Sequence, residues 1–199
     1  MWDQRYSEAG FAYGEAANDF LKLHFKHIPK RGRVLCLAEG EGRNAVFLAQ
    51  QGYQVTAVDQ SQVGLEKAQD LAAKQGVAIE TVVANLSEFD LGKDCWDGIV
   101  SISAHVPADL RQQLHQQSVL ALKAGGVFVL EAYTLKHLEL DGAGGPPPSQ
   151  KDMFMSAQGL KQELSGLNFE IATEVERDIS EGKYHVGHSA VVQVVAKKS

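Results

Sequence analysis

The chain has 199 residues, 44% apolar and 22% charged, with a net charge of −6. That length suits one domain with a sizeable core, the acidic balance is a poor match to the phosphate backbone of a nucleic acid, and no apolar run approaches the ~20 residues of a membrane helix. Its two cysteines, Cys36 and Cys95, form no metal or redox motif. The opening Met1-Trp2-Asp3-Gln4-Arg5-Tyr6 lacks the layout of a secretory signal, so a reduced, cytoplasmic protein is expected.

In chain order, Trp2 to Tyr13 is rich in aromatics (Trp2, Tyr6, Phe11, Tyr13) and reads as a segment packed over either the ligand cleft or the core. Glu15 to Ile28 has the apolar spacing of a helix, and Pro29 stops it. Residues 1–28 therefore form an N-terminal cap segment and helix. Val34 to Leu37 is a short apolar run, the mark of a strand buried on both faces. Gly40 and Gly42 follow at once, then a helix carrying Ala45, Phe47, Leu48 and Ala49, ended by Gly52. Tyr53 to Val58 is a second strand, with Asp59 at its C-terminal end, where open parallel sheets place ligand contacts. A carboxylate there has the acceptors to hold both hydroxyls of a ribose.

The alternation continues. A helix runs from after Gln60-Ser61 to about Gln75, and Val77 to Ala84 is a third strand, with Asn85-Leu86 at its end. Gly98 to Ile102 is a fourth strand, left by the loop Ser103 to Pro107, and Ala108 to Leu122 is a helix. The turn Lys123-Ala124-Gly125-Gly126 leads into a fifth buried strand, Val127 to Ala132. Such alternation argues a parallel sheet with helices on both faces. Residues 134–155 hold Gly142 to Pro148, too rich in glycine and proline for regular structure, and read as a loop over the cleft. Ser156 is the N-cap of a short helix ending at Leu164. Asn168 to Arg177 and His185 to Ala196 are two strands joined by Glu181-Gly182-Lys183, a hairpin that makes the last strand antiparallel. His185 and His188, three apart in a strand, point to opposite faces, and no metal site is expected.

Gly40-Glu41-Gly42-Arg43-Asn44-Ala45 matches G-x-G-x-x-A, and Asp59 lies at a dinucleotide-like distance. Two cofactor classes share this pattern, nicotinamide dinucleotides and S-adenosylmethionine. About five alternating strand–helix units closed by a hairpin resemble the class I S-adenosylmethionine-dependent methyltransferases, over nearly the whole chain. Leu37-Ala38-Glu39-Gly40-Glu41-Gly42 resembles their first motif, with Ala38 where the first glycine usually stands. Lys123-Ala124-Gly125-Gly126 resembles a further common element, with Ala124 in place of proline. Trp2-Asp3-Gln4-Arg5-Tyr6 and Glu181-Gly182-Lys183-Tyr184-His185-Val186-Gly187-His188 are similar to the small methyltransferases grouped with tellurite-resistance and thiopurine methyltransferase-like proteins.

The resemblance implies a single doubly wound, Rossmann-like, seven-stranded α/β sheet over 1–199, mostly parallel with the last strand antiparallel. It also implies S-adenosyl-L-methionine as cofactor. Glu39, Gly40 and Gly42 would line the methionine end and Asp59 the ribose, with Gln60 beside it. Asn85 and Leu86 would face the adenine. In this fold the loop after the fourth strand borders the methyl, which singles out His105 as the residue able to accept a proton or hydrogen-bond a substrate. The expected partner is a small-molecule methyl acceptor, possibly a soft sulfur, selenium or tellurium nucleophile, taken up by a monomer that binds neither nucleic acid nor membrane.

Overall fold

A computed structural model describes residues 2–199. Its centre is a seven-stranded sheet in the order β3-β2-β1-β4-β5-β7-β6. The strands are β1 (Arg33–Leu37), β2 (Gln54–Asp59), β3 (Glu80–Val83), β4 (Trp96–Ile102), β5 (Leu122–Tyr133), β6 (Leu167–Glu181) and β7 (His185–Lys198). β1 to β5 pair in parallel. β7 inserts antiparallel between β5 and β6, because the 181–185 hairpin turns the chain straight back on itself.

The helices are α1 (Trp2–Tyr6), α2 (Asp19–His24), α3 (Arg43–Gln50), α4 (Gln62–Lys74), α5 (Ala108–Ala121) and α6 (Ala157–Glu163). Successive β1 residues point to opposite faces of the sheet, and each face builds its own core. Val34 and Cys36 pack with Val55, Ala57, Val100 and Val129 against Phe20, Leu21, Ala45, Leu48 and Leu65 of α2, α3 and α4. Leu35 and Leu37 pack with Ile99, Phe128, Leu130 and Val194 against Leu114 and Ala121 of α5, Leu160 of α6 and Leu164 just beyond it. A strand with a core on both sides must be apolar throughout, which is why β1 reads as an unbroken run.

Local signals set several boundaries. Ser61 Oγ accepts the Gly64 N–H at 3.0 Å and starts α4. Ser156 Oγ accepts the Gly159 N–H at 3.1 Å and starts α6, as the N-cap pattern requires.

Elsewhere the structure departs from the pattern. The helix over 15–28 shrinks to α2 and a 3₁₀ turn at Phe25–His27, because Asn18 Oδ1 accepts the Leu21 N–H at 3.1 Å and fixes the start there. β3 is four residues long rather than eight, and its outer residues are exposed, as suits a sheet edge. Lys123 to Gly126 is not a free turn. β5 already pairs at Trp96↔Leu122, and the next pair is Gly98↔Val127, so residues 123–126 bulge within the strand. The 134–155 segment holds 3₁₀ turns at Leu135–Glu139 and Lys151–Met153 and a bridge between Ala143 and Val186.

Candidate active site

The chain leaves β1 through a run of left-handed residues, with φ of 50° at Ala38, 60° at Gly40 and 85° at Gly42. Ala38 bears a steric cost of about 1–2 kcal/mol that glycine would avoid. At Gly42 the need for glycine is double, since a Cβ would also run into Ala68 of α4. Glu39 turns back beneath the loop, and its Oε1 accepts the N–H groups of Asn44 at 3.0 Å and Ala45 at 2.7 Å. The carboxylate thus serves the open donors of the first turn of α3. Burial nevertheless raises its pKa to about 7, against the opposing pull of those donors and of Arg43.

Asp59, at the end of β2, is buried and tied to the same loop. Its Oδ2 accepts the Gly40 N–H at 2.9 Å and its Oδ1 the Ser61 N–H at 2.8 Å. Burial raises its pKa, while these backbone bonds work the other way. Each carboxylate oxygen keeps a lone pair for a further donor. Gln60 is exposed next to it, and with Trp2, Asp3 and Ser61 it lines a cavity of about 360 Å³. Asn85 is exposed, and its Oδ1 accepts the Ser87 N–H at 3.0 Å in a local turn, whereas Leu86 is buried. Gly40, Gly42, Asp59 and Gln60 are thus brought together around one loop, and Asn85 and Leu86 follow the neighbouring strand.

The aromatic N-terminal segment covers this loop. The Tyr6 ring lies where a Cβ on Gly40 or Gly64 would be, and Asp3 Oδ1 accepts the hydroxyl of Ser61. Glu41 Oε2 accepts the Ala12 N–H at 2.7 Å. Lys67 Nζ donates to the carbonyls of Glu8 and Gly10 and to Glu41 Oε1.

His105 holds a different position from a free proton acceptor. Its Nδ1 lies 3.1 Å from the Met153 carbonyl and its Nε2 receives the Tyr133 N–H at 3.2 Å. That pair of backbone partners fixes a neutral ring with the proton on Nδ1. Burial lowers its pKa to about 4.

Beside the loop lies a buried ionic network. Arg43, the first residue of α3, donates to Glu181 Oε2 at 2.7 Å, and both side chains are 7% exposed. Asn18 Nδ2 donates to Glu131 Oε1 at 2.7 Å and to Glu181 Oε1 at 2.8 Å. Arg177 joins both carboxylates, and Gln193 donates to Glu131 Oε2 at 2.6 Å. Two guanidinium groups therefore face two carboxylates, and the buried charge is balanced. Arg43 and Glu181 stand in motifs of the sequence, but its pattern singled out none of Asn18, Glu131, Arg177 and Gln193. One signal was present: Glu131 is a charged residue inside the apolar run Val127 to Ala132, where a buried carboxylate must find partners.

Comparison with known proteins places these features. Residues 34–126 match the family described as "Methyltransferase domain". Over 98 residues, 49% of this chain, the sequence is 30% identical to the uncharacterized methyltransferase YbaJ of Bacillus subtilis (strain 168), and the matched stretch spans 38% of that relative's length. Among solved structures, TehB from Haemophilus influenzae superposes with a TM-score of 0.72 over all of this chain and 66% of that one, at 17% identity. A structure from work on the conversion of a disulfide bond into a thioacetal group during echinomycin biosynthesis gives 0.72 over 96% of this chain and 85% of that one, at 19% identity. The antiparallel β7 removes the final parallel unit that a nicotinamide enzyme would need. The fold is shared with solved structures described as S-adenosylmethionine-dependent methyltransferases, such as one from Methanosarcina mazei (TM-score 0.68, 16% identity, over 92% of this chain and 98% of that one), and the matched methyltransferase-domain segment covers β1 to the start of β5. Among the described residues no helix is long and apolar enough to cross a membrane.

Proposed function

We propose that this protein transfers a methyl group from S-adenosylmethionine to a small molecule, through a soft sulfur, selenium or tellurium nucleophile. The observation that carries the reading is the bond between Asp59 and Gly40. It joins the two parts that a nucleoside needs, a loop whose backbone can be approached closely and a carboxylate for the ribose, at the C-terminal edge of the sheet.

When bound, S-adenosylmethionine supplies a methyl group on a positively charged sulfur. The roles we assign follow from position. Gly40 and Gly42 let the cofactor approach the backbone. Glu39 keeps one oxygen for the ammonium of its methionine end, Asp59 takes the ribose hydroxyls with Gln60 alongside, and Asn85 and Leu86 border the adenine. His105, with both nitrogens engaged, holds the wall of the acceptor side by gripping Tyr133 and Met153.

Lining up a nucleophile with the methyl can supply roughly 7–11 kcal/mol of such a barrier, and a soft nucleophile needs no strong base. The neutral state of His105 agrees with that demand. The resemblance of Trp2 to Tyr6 and of Glu181 to His188 to small methyltransferases grouped with tellurite-resistance proteins supports the same acceptor class. Calorimetry with S-adenosylmethionine and with NAD on one preparation is the test. Binding of the first alone is expected, and binding of NAD alone rejects the reading.

A further inference from the structure

Asn18 is fully buried, and all of its polar groups are engaged. Its Oδ1 accepts the Leu21 N–H at 3.1 Å and caps α2. Its Nδ2 donates to Glu131 Oε1 at 2.7 Å and to Glu181 Oε1 at 2.8 Å. Its carbonyl accepts the Lys22 N–H at 3.0 Å, and its own N–H donates to Asn44 Oδ1 at 2.9 Å.

The cap alone does not account for the residue type, because serine or aspartate caps a helix as well as asparagine does. What asparagine adds is an amide group, which joins that acceptor to two N–H donors on one short stem. Aspartate here would set a third carboxylate against Glu131 and Glu181. Serine would keep the cap and give up the two donors to the carboxylates.

Both sets of contacts lead to the cofactor loop. Arg43 and Asn44 are the first two residues of α3, a helix of eight residues whose preceding residue, Gly42, has no side chain to cap it. The placement of that first turn therefore rests on groups outside the helix. Asn44 Oδ1 is held by the Asn18 N–H, and the Asn44 N–H is one of the two that Glu39 Oε1 accepts. Arg43 donates to the Ala16 carbonyl at 3.3 Å and to Glu181 Oε2 at 2.7 Å. Segment 16–18 thus grips the start of α3 at both residues.

The two carboxylates do not depend on Asn18 equally. Gln193 also holds Glu131, at 2.6 Å, and Arg177 reaches Glu131 at 2.8 Å but Glu181 at only 3.4 Å. Loss of the Asn18 amide therefore loosens Glu181 more than Glu131, and with Glu181 it loosens Arg43.

We propose that Asn18 is a positioning residue for the cofactor: through Asn44 and through Glu181 and Arg43 it sets the first turn of α3, and with it the Glu39 carboxylate that receives the ammonium of the methionine end. The inference rests on the methyltransferase reading above. Asn18 touches no part of the cofactor. Its effect is confined to the amino acid end, since Asp59 and Gly40 hold the nucleoside end by bonds of their own.

The test compares two ligands by calorimetry on the full chain. S-adenosylhomocysteine carries the amino acid group, and 5′-methylthioadenosine has the same nucleoside and sulfur without it. Asn18→Ser, which keeps the cap, should weaken S-adenosylhomocysteine about tenfold and change 5′-methylthioadenosine by less than about twofold. Gln193→Met removes a donor from the same network far from α3. It should lower the melting temperature and leave both affinities unchanged. Asn44→Ala cuts the other route and should show the same preference for the ligand without the amino acid group, and it decides should Asn18→Ser fail to fold. Equal weakening of the two ligands, an unchanged affinity for S-adenosylhomocysteine in folded Asn18→Ser, or an equal loss in Gln193→Met would each overturn the assignment. A parent protein that binds neither ligand rejects the methyltransferase reading itself, and with it this role.

Discussion

The Asp59 carboxylate accepts the N–H of Gly40 at 2.9 Å across 19 residues of sequence. A side chain at the tip of β2 thereby sets the shape of the loop that leaves β1. The ligand-facing acid and the ligand-facing backbone are one mechanical unit, so a change at either should be felt at both.

Asp59→Ala should weaken S-adenosylmethionine binding by roughly 10- to 150-fold, the worth of a charge-assisted hydrogen bond of about 1.5–3 kcal/mol. Calorimetry on the folded variant gives the number. An unchanged dissociation constant removes Asp59 from the cofactor site.

Glu39 should make the free protein less stable as pH rises. Its folded pKa is raised to about 7 by burial, while in the unfolded chain it is about 4.3. Between those values the unfolded chain gives up its proton first, so stability falls as pH climbs through roughly 4.3 to 7. Glu39→Gln keeps an oxygen for the Asn44 and Ala45 N–H groups and carries no charge. The loss, on the order of 1–3 kcal/mol, should vanish in that variant. Parallel slopes of melting temperature against pH in the two proteins would count against a buried, proton-holding Glu39.

Glu181 should act in the opposite sense. Burial pushes its pKa up, but His185 and Arg43 outweigh burial and hold it well below the usual carboxylate range. Its stabilisation is complete above the unfolded value of about 4.3 and is lost as pH falls below that. Glu181→Gln leaves Arg43 buried without its partner and should cost about 3–5 kcal/mol at neutral pH. Denaturant titrations should show the gap between parent and variant closing below about pH 4. A gap that stays constant down to pH 3 would show that the pair does not set the cost.

Lys67 should hold the N-terminal segment in place. Its ammonium group serves Glu8, Gly10 and Glu41 together. Lys67→Met should speed amide exchange in Trp2 to Tyr13, and S-adenosylhomocysteine should slow that exchange in the parent by bracing the loop under Tyr6. Exchange that responds to neither change would identify the terminus as a fixed part of the core.

Much of the frame was legible in the residues because its signals are local. The two-sided burial of β1 appears as the run Val34 to Leu37, the left-handed turn appears as Gly40 and Gly42, and helix starts appear at Ser61 and Ser156. The 181–183 hairpin was enough to reverse the last strand, since a short connection between strands leaves no other direction.

Contacts between distant residues were decided by tertiary structure alone. Glu181 meets Arg43 across 138 residues and Asn18 across 163, and no periodicity in the chain encodes such meetings. Asn18 shows the consequence, since its place in that network and its cap on Leu21 shorten a helix that apolar spacing extends back to Glu15. His105 shows it again. Its residue type and place after β4 suggested a base, but Met153 and Tyr133 take both ring nitrogens. A sequence states which groups can donate and accept; only the fold determines which lone pairs are already spoken for, because desolvation forces each buried polar group to find a partner wherever the packed chain supplies one.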